Sequence, residues 1–114
     1  MLRRTLLGLV ACLLLAAPAS AKSPKNADFK GVWAATTGGW TITSENRHTG
    51  VCRGTSSFAG YSLRHCKVTG HKYRFTVLFG TYKSFNTGTF HGNRLTGHFH
   101  DTNGTKSSYT ATRS

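Results

Sequence analysis

The residues able to do chemistry in this chain are mostly cations and imidazoles. Residues 61–100 hold Arg64, Lys67, Lys72, Arg74, Lys83 and Arg94 with no acid among them, and five of the six histidines. Residues 28–60 hold only Lys30, Arg47 and Arg53, set against Asp28 and Glu45. Strand alternation sends His65, Lys67, Lys72, Arg74, His91, Arg94, His98 and His100 to one outer wall. The first hairpin turns only Val32, Ala34, Thr36, Thr41 and Thr43 outward. A field concentrated on one face attracts polyanions. The expected partner is an anionic polymer (nucleic acid, lipopolysaccharide or acidic polysaccharide) or an acidic protein surface. Tyr61, Tyr82 and Phe85 are candidate exposed aromatics among these cations, the pairing that single-strand binders use.

Other chemistries fit less well. His98-x-His100 sets two imidazoles on one strand face, about 6.5 Å apart. A metal site needs a third ligand, and His91 falls several residues along the paired strand, so no metal and no cofactor is expected. Glu45, His48, His65 and Arg74 supply the residue types of a small basic ribonuclease. Such enzymes carry a helix, and none is legible here. Asp28, Glu45 and Asp101 are too far apart in sequence to share a motif, and there is no GxSxG, P-loop or HExxH pattern. The reading is a noncatalytic binding protein. The alternatives are a barrel holding a small ligand among Trp33, Trp40 and other inner aromatics, and the ribonuclease.

Length and termini limit what can position these side chains. The chain has 114 residues and a formal charge of +12. Met1-Leu2-Arg3-Arg4, an apolar run from Leu6 to Ala17 and Ala19-Ser20-Ala21 form a secretory leader over residues 1–21, with cleavage after Ala21. The apolar run is too short to cross a bilayer, and no transmembrane segment is expected after cleavage. Loss of 21 residues, Arg3 and Arg4 among them, leaves 93 residues at +10 and room for one domain. The expected location is secreted or periplasmic. Cys12 leaves with the leader. Cys52 and Cys66 remain as a pair that forms a disulfide in an oxidising space.

The remaining chain reads as all-β, with glycines punctuating short alternating segments. Residues 22–28 are expected to be a flexible arm and 29–114 the domain. The first hairpin is read with a Gly38-Gly39 turn and Ala35 opposite Ile42. The Phe58-Ala59-Gly60 loop sets Ser57 opposite Tyr61 and Cys52 opposite Cys66, within disulfide reach. Thr69-Gly70, Gly92-Asn93 and Asn103-Gly104 are further turns, and Gly92-Asn93 pairs Phe90 with Leu95. Trp33, Trp40, Tyr73, Phe75, Phe79, Phe90 and Phe99 are the expected core aromatics. Eight strands joined in sequence close into a small antiparallel up-and-down barrel, with a two-sheet sandwich as the alternative.

Phe29-Lys30-Gly31-Val32-Trp33 followed by Gly39-Trp40-Thr41-Ile42 resembles the first hairpin of avidin-like and lipocalin-like barrels, which begin with a Gly-x-Trp strand. Residues 92–97 and 110–113 are similar to the closing strands of many small exported bacterial β proteins. The resemblance implies a barrel. It does not imply biotin binding, because residues 34–39 are alanines, threonines and glycines where avidins place Asn and Ser.

Overall fold

The computed structural model describes residues 25–36 and 38–114. The expected leader with Cys12 and the cleavage site, the first residues of the expected arm, and Thr37 lie outside the described residues. Eight strands follow in order: β1 Gly31–Ala35, β2 Gly38–Glu45, β3 Val51–Ser56, β4 Ser62–Thr69, β5 Lys72–Phe79, β6 Tyr82–His91, β7 Arg94–Asp101 and β8 Lys106–Arg113. Each pairs antiparallel with the next, and β8 returns to β1, so the sheet closes as a barrel. Alternation makes this possible. In β5, Tyr73 and Phe75 turn inward while Lys72 and Arg74 turn outward, and closure removes the free edges that an open sheet would present.

The two ends of the barrel differ. At the closed end Phe29 is fully buried against Trp33, Tyr73 and Phe90, with ring centroids 5.5, 5.2 and 4.8 Å away. Arg113, near the end of β8, clamps this plug. Its guanidinium lies 4.6 Å from the centre of the Trp33 ring. It also donates to the carbonyls of Asp28, Lys30 and Gly92 and to Asn93 Oδ1. Residues 26–28 are thereby tied down and are not the flexible arm expected of them. Asn26 N–H donates to the Arg47 carbonyl and Ala27 N–H to the Gly70 carbonyl, while Asn26 Oδ1 accepts from Gly70 N–H. The segment holds because Phe29 buries its whole side chain and draws the preceding backbone across the barrel end.

Register departs from expectation at two places. In the first hairpin Trp33 sits directly opposite Trp40 and Ala35 opposite Gly38, so the chain turns before Gly38 and both glycines belong to β2. Gly39 serves close approach rather than turning, because a Cβ there would collide with the Trp33 carbonyl. In the second hairpin Cys52 faces Cys66 as expected and the two form a disulfide, with Cα atoms 5.0 Å apart. Beyond it, however, Thr55 faces Ser62, so the predicted Ser57–Tyr61 pair does not form. The cause is an extra residue in β4. His65 has φ +56°, the left-handed conformation that accompanies a β-bulge.

Trp33, Trp40, Tyr73, Phe75 and Phe90 are buried core residues. Phe79 is not: it ends β5 at the open mouth, is half exposed, and stacks on Tyr61 at 4.6 Å. Phe99 is only partly buried, and it too faces the mouth. Both point the way alternation dictates, but at this end the inward direction leads to solvent.

Candidate functional site

The outer face of β4–β7 carries the cations. One row across it runs Lys67, Arg74, Thr87, His98, each directly opposite the next. A second row, nearer the mouth, runs Arg64, Thr76, Phe85, His100 and on to Lys106 of β8. Lys72 stands two residues from Arg74, opposite Thr89. Lys67, Lys72, Arg74, Thr87, Thr89 and His98 together line a shallow groove. Near the closed end His91 faces Arg94, and the His91 ring stacks on His71 at 4.6 Å. All eight expected residues thus turn outward on four adjoining strands, with Lys67 half-buried and the other seven exposed. The other half of the barrel shows Val32, Ala34, Thr43, Ser108, Thr110 and Thr112, with Arg53 of β3 and Lys106 of β8 as exposed strand cations.

The bulge at His65 adds a wall residue that alternation missed. Leu63 and Cys66 both face inward, and the extra residue between them leaves Arg64 and His65 as two consecutive outward positions. His65 and Arg74 share a small hollow floored by Phe75 and edged by Thr76 and Phe85. Phe85 is 38% exposed and stacks on His100 with centroids 5.1 Å apart. It is the single member of the expected aromatic trio on this face. Tyr61 and Tyr82 belong to the mouth, where their rings meet edge to face at 6.2 Å.

A carboxylate meets this face at its rim, where Asp101 lies beside His100, and the centre of the face carries none. Lys67 and Arg74 are direct cross-strand neighbours of like charge, an arrangement that destabilises a sheet. No acid occurs between Glu45 and Asp101 in the sequence, and the three carboxylates take donors elsewhere. Asp28 accepts from Lys30 N–H and Glu45 from Phe29 N–H at the closed end. Asp101 accepts from Tyr82 Oη–H and from the Asn103 and Thr105 amides at the mouth.

The remaining chemistries do not assemble. His98 Nε2 lies 3.1 Å from Thr87 Oγ1, His100 is stacked on Phe85, and among the described residues no three His, Cys, Asp or Glu side chains gather as a metal site. Of the ribonuclease set, His65 and Arg74 are neighbours on the wall. Glu45 is committed to Phe29 at the closed end, and His48 lies in the β2–β3 loop. Of the expected pocket tryptophans, Trp40 lines a cavity at the mouth, whereas Trp33 is sealed in the closed end. Comparison of the chain with protein-family models, with curated proteins and with solved structures finds no match.

Proposed function

We propose that this is an exported, noncatalytic binding protein that engages an anionic polymer through the outer face of β4–β7. The observation that carries the reading is the direct Lys67–Arg74 pair, flanked by Lys72, Arg64 and His98 on a face whose centre carries no carboxylate. Like charges set opposite each other cost stability in the free protein, and a row of phosphates or sulfates offsets that cost. Phe85 adds a platform on which a base or sugar ring can stack. The acidic protein surface is the second partner class, and it lacks a use for the stacked Phe85–His100 pair.

The test is titration of the protein with heparin and with a single-stranded oligonucleotide at low and high salt. Binding should weaken steeply with salt, because polyanion binding releases counterions. Lys72→Ser with Arg74→Ser should weaken it far more than the charge-matched Lys25→Ser with Lys30→Ser. Affinity indifferent to salt, or equal losses in the two double variants, would remove this face as the binding site.

A further inference from the structure

The mouth of the barrel contains a second, uncharged site. A half-open cavity of about 170 Å³ lies there, and no charged side chain lines it. Trp40, Phe75, Phe99, Tyr109 and Val77 are among the residues of its wall. A dry cavity of about 150 Å³ is large enough for a benzene ring. Tyr73 fits inside the barrel only because Gly88 and Gly97 face each other beside it. A Cβ on Gly97 would strike the Tyr73 hydroxyl, and one on Gly88 would come within 2.7 Å of its ring.

Polar groups enter this apolar space in a defined order. Asn86 is 7% exposed and Ser84 is 8% exposed, and both side chains line the cavity. Asn86 Nδ2 must face the Ser84 carbonyl at 3.1 Å, which can only accept, and this settles the orientation of the amide. Asn86 Oδ1 therefore accepts from Tyr109 Oη–H at 3.0 Å, and Tyr109 in turn accepts from Tyr73 Oη–H at 2.8 Å. Burial pushes the Tyr109 phenol up to about 12 and Tyr73 higher still, so both remain donors. At the other end Asn86 Nδ2 donates to Ser84 Oγ at 3.2 Å. The chain of donors thus runs Tyr73, Tyr109, Asn86, Ser84 and stops at the Ser84 proton. The nearby Tyr82 hydroxyl donates to Asp101 at 3.0 Å, and its oxygen is the acceptor within the protein for which a ligand must compete at the Ser84 proton. Trp40 Nε1 is also a buried donor without a partner.

We propose that the barrel mouth binds a small neutral planar molecule, about one aromatic ring in size, that presents a hydrogen-bond acceptor to the Ser84 hydroxyl. The ring lies among Trp40, Phe75 and Tyr109, where offset and edge contacts favour aromatic partners. A carbonyl oxygen or ring nitrogen takes the Ser84 proton in place of the Tyr82 oxygen. Phe58, half exposed and lying against Gly38, and the stacked Tyr61–Phe79 pair border the entrance. Charged ligands are disfavoured, because nothing in the lining compensates a buried charge.

Two probes of equal heavy-atom count separate apolar burial from hydrogen bonding: acetophenone, which has an acceptor, and isopropylbenzene, which has none. Each is titrated into the ¹⁵N-labelled protein at up to millimolar concentration. Shifts are expected at the amides of Ser84, Asn86 and Val77 and at the Trp40 indole, with acetophenone binding more tightly. Ser84→Ala should weaken acetophenone about tenfold and leave isopropylbenzene unchanged. Val77→Trp, which fills the cavity, should abolish binding of both probes while leaving the oligonucleotide titration intact. The proposal is overturned if neither probe moves mouth resonances, if the shifts fall elsewhere, or if Ser84→Ala leaves the preference for acetophenone unaltered. The oligonucleotide titration reports separately on the cationic face, so either site can fail without the other.

Discussion

Removing Lys72 and Arg74 together should change the salt dependence of polyanion binding by a calculable amount. Four fixed cations, Arg64, Lys67, Lys72 and Arg74, crowd the outer face of β4 and β5. For a single-stranded nucleic acid each neutralised phosphate contributes about −0.7 to the slope of log affinity against log salt. Four contacts give a slope of roughly −2.8, and affinity then falls about 50-fold between about 50 and about 200 mM salt. With Lys72→Ser and Arg74→Ser the slope halves to roughly −1.4 and the loss over that range shrinks to about sevenfold. Fluorescence anisotropy with a labelled oligonucleotide at four salt concentrations measures both slopes. Circular dichroism verifies that the variant folds, which the outward direction of both side chains leads one to expect. The reasoning is refuted if the two slopes agree, even where affinity at one salt concentration differs. Equal slopes would mean that neither cation displaces a counterion when the polymer binds.

Replacing Cys52 and Cys66 by serine should cost roughly 2–4 kcal/mol in urea unfolding, because the bridge restrains the unfolded chain; an unchanged midpoint would contradict this. Gly97→Ala places a methyl group against the Tyr73 hydroxyl and should destabilise by about 1–3 kcal/mol. Tyr73→Phe in the same chain should recover part of the loss in the denaturation midpoint. Asp28 and Glu45 should shape stability in mild acid. The hydrogen bond from Glu45 holds Asp28 below its ordinary 3.8, while burial, and then that same bond, raises Glu45 above 4.5. A lowered carboxylate contributes stability that is lost as pH falls through its folded value. A raised one contributes stability that is present in acid and lost as pH rises through its folded value. Thermal melts should therefore show the pair's contribution greatest between these two transitions, and Asp28→Asn should flatten the profile relative to the parent chain.

The element count, the strand order and the facing of the first two strands and of β5 to β7 were legible in the sequence, because a two-residue period and regularly spaced glycines leave little freedom once eight strands must pair. The cationic face was legible for the same reason, since alternation alone puts Lys72, Arg74, His98 and His100 on one side. The Cys52–Cys66 pair was also legible, because cross-strand geometry places facing cysteines within reach. Tertiary structure decided what depends on contacts between distant segments. Arg113 and Phe29 lie far apart in the chain, yet together they close one end of the barrel and order residues 26–28. The bulge at His65 has no turn residue to announce it, and it shifts Arg64 onto the cationic wall. Phe79 and Phe99 alternate correctly but face the mouth, because periodicity reports a direction and not what is found there. Ser84, Asn86 and Tyr109 look like ordinary strand polarity in sequence. Only closure of the sheet brings β5, β6 and β8 around one cavity and joins those side chains into a single chain of hydrogen bonds.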